Sequence, residues 1–411
     1  MVGKGDYVED FIRAVHANLS EGMPEELNGL LISRWGEGSL LLDGKDAAAY
    51  RATVDRLDRD FNKHEDLSRR SVEKSLEEAL FQALDLQGES PKTFDERLRE
   101  GLKTLRTQLN AAPIDYRVLV EVCGVAAKDL PFALGPTRFV KFDSGHRSQL
   151  LRGQSQAYRR SLVQTAERLD GKVCAQVLVA ARDFDAARSL ARREARTAID
   201  CINFFADLVP YNHGWLYFPS EGAPTRETTP ARDASGQAHV GLDIRGPALP
   251  FSVEHLRESR ALFADFCRLG RLSVAARAKT AAECLRTAFQ WAGRATVEPK
   301  REESYLLFAI ALETAVLPTE DTELTYRLGR RVAALLTGSR QQRSELRTKI
   351  SHLYEIRSRV AHSGFSEVTE QDLGALRLLA KRSLLRLLRR PAVWTMELAD
   401  YNSWLESQTE R

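Results

Sequence analysis

The sequence predicts a mainly α protein, with a C-terminal antiparallel helical bundle preceded by a mixed α+β region. Three observations carry that expectation. From Ser252 to Leu388 apolar residues recur at helical spacing, with breaks at Gly293–Pro299, Leu317–Thr322, Gly338–Ser339 and Ser363–Gly364. That pattern gives about five helices joined by short loops. Between Pro113 and Pro250 the chain turns rich in Val and Phe and is punctuated by Gly and Pro, which reads as short strands and turns. Before Pro113, charged stretches at helical period dominate. The 411 residues therefore divide into a helical N-terminal region (1–110), an α+β region (111–250) and the bundle (251–411).

Taken in order, "MVGKGDYVEDFIRAVHANL" is acidic and amphipathic, unlike a basic-then-apolar signal. "DAAAYRATVDRLDRDFNKHEDLSRRSVEKSLEEALFQAL" is a long helical stretch with one break and many possible i,i+4 ion pairs. "DYRVLVEVCGVAAKDLPFALGPTRFVKFD" reads as two or three strands divided by turns, and "KVCAQVLVAA" as another. "GHRSQLLRGQSQAYRR" is basic and polar, either a solvated helix start or a surface that touches RNA. "FDAARSLARREARTAIDCINFFADL" is an amphipathic helix with Ala187, Leu190, Ala191, Ala195, Ala198, Ile199 and Ile202 along one side. From Pro210 to Pro250, "HGWLYF" and "HVGLDI" are short extended pieces in an irregular sheet edge or a crossing loop.

Composition narrows the function classes. The net charge of +3 is too small to argue for nucleic acid by itself, but its distribution is uneven. Between Arg327 and Arg390 stand 15 Lys and Arg against 5 Asp and Glu, a patch that suits a polyanion or a solvated helical face. Five scattered cysteines lack any Cys-x-x-Cys pair or a His at ligand spacing, which argues against a metal site or a disulfide framework. That usage, with no apolar run near the roughly 18 residues of a membrane span, places the chain in the cytoplasm. No Gly-rich phosphate loop, nucleophile elbow or His-Glu-x-x-His is present, and no cofactor is expected.

The segment "LYEIRSRVAHSGFSEVTEQDL", Leu353 to Leu373, concentrates the chemistry. Leu353, Ile356, Val360 and Ala361 form one apolar stripe, Ser363-Gly364 supplies a stop, and Thr369-Glu370-Gln371-Asp372 resembles a capping box. His362 then sits in a last helical turn, where the helix dipole favours its charged form. Arg357 and His362 are either an ion-paired arginine and a C-cap histidine, or a reaction site. Arg359 is a second phosphate ligand or a solvated arginine, and Tyr354 packs in the core or stacks on a base. Glu313, within "LLFAIALETAVL", is costly on an apolar helix unless paired, so it is expected to bond an arginine of the motif helix.

Spacing alone is weak, because Arg59…His64 and Arg347…His352 repeat it. The order of four segments is more specific. "SYLLFAIALETAVLP", "LTYRLGRRVAALLTGS", "LYEIRSRVAHSG" and "VTEQDL" together resemble the Apea-like HEPN family of prokaryotic proteins, over roughly Arg301 to Arg390 and only loosely upstream. In such domains an Arg, four residues and a His form a ribonuclease signature. The resemblance implies catalysis by Arg357 and His362 with Ser358, which stands where many active members carry Asn, Asp or His. It implies a homodimer that brings two motifs into one cleft, RNA as substrate, and bacterial anti-phage defence or toxin-like growth arrest. Residues 1–250 would then sense a phage-derived trigger or a partner protein. The rival expectation is a catalytically inactive HEPN module that dimerises and binds RNA or nucleotide as a scaffold.

The residue chemistry suits the first expectation independently. Cutting RNA without a metal takes a base for the 2′-hydroxyl, an acid for the leaving oxygen and positive charge on the phosphorane. Imidazole titrates in the right range and guanidinium matches phosphate oxygens. Arg357 and His362 lie about 140° apart around a helix, so a single pair does not share one face.

Overall fold

The computed structural model describes residues 6–20, 30–34, 38–42, 44–62, 65–85, 90–152, 156–209, 214–221, 225–232, 238–245, 250–319, 324–363 and 368–410. In chain order the elements begin with α1 (Asp6–Ser20), β1 (Leu30–Arg34), β2 (Gly38–Leu42), α2 (Gly44–Phe61), α3 (Arg69–Leu84) and α4 (Phe94–Leu109). The middle holds β3 (Ile114–Glu121), β4 (Phe132–Leu134), β5 (Thr137–Lys141), α5 (Ser144–Leu151), α6 (Gln156–Leu169), β6 (Val173–Ala181) and α7 (Phe184–Asn203). A hairpin of β7 (Thr225–Arg232) and β8 (Ala238–Arg245) follows. The rest is helical: α8 (Val253–Glu258), α9 (Arg260–Ala275), α10 (Ala281–Val297), α11 (Arg301–Val316), α12 (Leu324–Leu336), α13 (Arg340–Ser363), α14 (Glu370–Leu388) and α15 (Leu398–Ser407). The protein is mainly α with a mixed α+β region, and no described residue of 304–388 is in a strand.

Two units partition the chain, Met1–Val118 with Leu178–Arg192, and Leu119–Val177 with Arg193–Arg411. The divisions fall within β3, β6 and α7 rather than at the composition changes near 113 and 250. In the first unit α1 to α4 close over a core that includes Phe11, Tyr50, Leu76 and Leu102. The long charged stretch does break once, after α2, and Ser68 caps α3 by accepting from the Ser71 amide. The hairpin β1–β2, within a mostly helical N-terminal region, corrects the expectation that strands are confined to the α+β region. Its register pairs Ile32 with Leu40 and Leu30 with Leu42, and burying Ile32, Leu40 and Leu42 outweighs the helical bias of the flanks.

The larger unit carries most of a four-stranded sheet of order β3-β6-β5-β4, whose β4–β5 and β5–β6 pairs are antiparallel. Its bundle is built around α11, which packs against α10, α12, α13 and α14. That central position explains why α11 is apolar almost all round, with Tyr305, Phe308, Leu312 and Val316 fully buried. The first long bundle helix expected from the period is three helices. Ser259 separates α8 from α9, and Lys279 (φ 65°) with the Thr280 cap separates α9 from α10. Helix α15 lies beyond the segment whose period was read. It is tied back by Arg331, which bonds Glu406, Asn402 and the Val316 carbonyl, and by Tyr401, which donates to the Ala315 carbonyl at 2.8 Å.

Candidate functional site

Helix α13 presents the motif, and its phase fixes where each side chain goes. Leu353, Tyr354, Ile356 and Val360 are buried toward the bundle, while Ser358, Arg359 and His362 are exposed. Three polar ties join α13 to α11. Tyr305 donates to the Leu353 carbonyl at 2.6 Å, Tyr354 to the Ala309 carbonyl at 3.4 Å, and Arg357 Nη2 to Glu313 Oε2 at 3.3 Å. The Arg357 Nε also lies 3.1 Å from Glu313 Oε1, within ion-pair distance though not aligned as a hydrogen bond. The two side chains keep only 30% and 20% exposure, so removing either partner would leave the other as a largely desolvated, uncompensated charge. Glu313 thus neutralises the Arg357 guanidinium at the α11–α13 contact, and fixes its direction.

Tyr354 is only 5% exposed, and burial with Glu313 nearby pushes its hydroxyl well above the ordinary tyrosine range. A ring so enclosed offers no face to a base. Tyr354 packs in the core rather than stacking on a base.

His362 occupies the last turn of α13, and the connection that follows, with Gly364, lies outside the described residues. After that connection Thr369 caps α14, accepting from the Asp372 amide at 3.1 Å and donating to its carboxylate at 2.6 Å. Arg301 steadies the segment by donating to the Val368 carbonyl at 3.2 Å. Of the two repeats of the spacing, His64 lies outside the described residues. His352 is exposed, with Nε2 3.7 Å from Asp372 Oδ1.

Helical phase adds residues that a plain charge count does not show. At 100° per residue, Arg340, Arg347, Ser351, Ser358 and His362 fall within about 60° of one another on the solvent side of α13. Arg340 and Arg347 are exposed and, among the described residues, have no carboxylate partner. The stripe runs about 33 Å from Arg340 to His362 and includes one acid, the exposed Glu355. Arg357 lies on the opposite side, against Glu313. One chain therefore does not bring Arg357 and His362 together.

The basic patch is also weaker than its count. Arg330 and Arg331 pair with Glu406, Arg357 with Glu313, Arg377 and Lys381 with Asp207, and Arg389 with Asp265. Among the described residues, four carboxylates from outside 327–390 take up six of the 15 cations, which cuts the excess from ten to six or less. Spacing in sequence cannot reveal such long-range partners. Among the described residues no three His, Cys, Asp or Glu side chains converge as metal ligands, and no helix is long and apolar enough to cross a membrane. Compared with protein-family models, with curated proteins and with solved structures, the chain matches none.

Proposed function

We propose that the protein is a metal-independent endoribonuclease of HEPN type that works as a homodimer in the cytoplasm, in anti-phage defence or toxin-like growth arrest. The observation that carries this reading is the solvent-facing stripe of α13, which ends in an exposed histidine and bears two serines and two arginines that have no carboxylate partner among the described residues. In the proposed reaction, His362 of one copy takes the proton of a ribose 2′-hydroxyl. The freed oxygen attacks the adjacent phosphorus, and the 5′-oxygen leaves with a proton supplied by the second copy's imidazole. The products are a 2′,3′-cyclic phosphate and a 5′-hydroxyl end. Arg357 would steady the phosphorane from its Glu313-held position, and Arg359 the neighbouring phosphate. Because Arg357 and His362 diverge by about 140°, two motifs facing across a two-fold axis are required.

A second reading has its own observation. The Arg357 guanidinium is already neutralised by Glu313, which suits a silent HEPN module that dimerises and holds RNA or nucleotide as a scaffold. Purified protein incubated with RNA in EDTA separates the two. The nuclease reading expects fragments ending in a 2′,3′-cyclic phosphate. Binding without cleavage supports the scaffold reading instead, and cleavage stopped by EDTA contradicts a metal-independent nuclease.

A further inference from the structure

A groove of about 490 Å³ opens in the larger unit between α8, α9 and the end of β4. Its floor is aromatic and braced. Phe132 stacks on Phe139 at 4.8 Å and tilts against Phe266 at 6.5 Å, and Phe266 meets Phe205 edge-on at 5.6 Å. Val253, Phe263 and Val274 supply the sides, and Val274 is 63% exposed. The β4–β5 turn lies directly on α9, since a Cβ at Gly135 (φ 61°) would come within 2.6 Å of the Ser273 Cβ. The groove is therefore a formed feature of packed elements.

Its polar content is sparse and of one sign. Arg257 and Arg271 are the charged residues that line it, and no acid does. Both are exposed, and neither has a carboxylate partner among the described residues; Arg257 instead lies over the Phe263 ring at 5.5 Å. The lining holds no Asn, Gln, Ser, Thr or Tyr that would read the edge of a base or a sugar. A volume near 500 Å³ is the scale of a small-molecule site. A protein partner needs roughly 800 Å² per side, and a second copy docked groove to groove by a two-fold would bring a second pair of these arginines into the same interface.

We infer that this groove binds a small molecule with an apolar chain and a carboxylate head, in the class of medium-chain acyl carboxylates. The chain fills the aromatic trough and the head meets Arg257 and Arg271 at the rim. The site stands on observations separate from those behind the nuclease reading, and neither depends on the other.

Cys267 lines the groove and is the exposed cysteine, whereas Cys174 and Cys201 are buried. It serves as an internal reporter. The full chain is reacted with a thiol reagent while dodecanoate is titrated below its micelle concentration. Dodecanoate should slow the modification of Cys267 saturably, and dodecanol should be at least about tenfold weaker, the loss expected for a charge-assisted contact. The double variant Arg257→Gln/Arg271→Gln, with its fold checked by circular dichroism, should bind both alike. The proposal is overturned by absence of protection, by equal protection from dodecanol in the unmodified chain, or by Cys267 shielding that depends on protein concentration alone. In a variant that fails to fold, the dodecanoate–dodecanol comparison in the unmodified chain still decides.

Discussion

Asp200 is 2% exposed on α7, and burial pushes its carboxyl from its ordinary 3.8 to about 6, with Arg196 pulling it back. The folded chain therefore holds a proton there that the unfolded chain has released, between about pH 4 and 6. Stability from this group is complete below that window and is lost as pH rises through it. Asp200→Asn should flatten the pH dependence between 4 and 6, and at pH 7 gain up to about 3 kcal/mol over wild type. Urea unfolding of both proteins across that range checks it, and parallel curves would contradict it. At the same scale, sequence patterning showed Glu313 to be out of place on an apolar helix and in need of a cation. It did not show that Arg331, Lys381 and Arg389 are spent on acids 75 to 174 residues away. Charge counting treats every arginine as solvated, and only the fold reveals which are not.

Among the elements, the helical period marked the breaks around α11 to α14 well, because Gly, Pro and capping residues punctuate them. It merged α8, α9 and α10, whose separations rest on Ser259 and on one left-handed lysine, and it passed over the β1–β2 hairpin, too short to impose a period of its own. Helix α15 is held by a buried arginine rather than by a long apolar face. Arg331→Ala should cost about 1–3 kcal/mol, chiefly by leaving the buried Val316 carbonyl without its donor, since Glu406 is partly exposed and keeps Arg330. It should also selectively accelerate amide exchange over Leu398–Ser407. Unchanged exchange in that helix, whatever the global stability, would show that Arg331 is not its anchor.

For the whole molecule, the proposed chemistry needs two motifs in one cleft. Light scattering of purified protein should report a dimer, and a strict monomer that still cleaves RNA would contradict the composite site. The bundle was legible because apolar residues recur at helical spacing between Gly, Pro and capping breaks. The pairing of Arg357 with Glu313 was legible as a need, and the opposed directions of Arg357 and His362 followed from helical phase. The groove beside α9 was not, since Phe132, Arg257 and Cys267 are brought together only by packing. The measurement that tests the central claim most directly is cleavage of labelled single-stranded RNA by His362→Ala beside wild type. His352→Ala serves as the control for an exposed histidine on the same helix. Truncating a solvent-facing residue in the last turn should change stability by no more than about 1 kcal/mol. His362→Ala is expected to fold and not to cleave, while His352→Ala cleaves as wild type; normal cleavage by His362→Ala would overturn the catalytic role of His362.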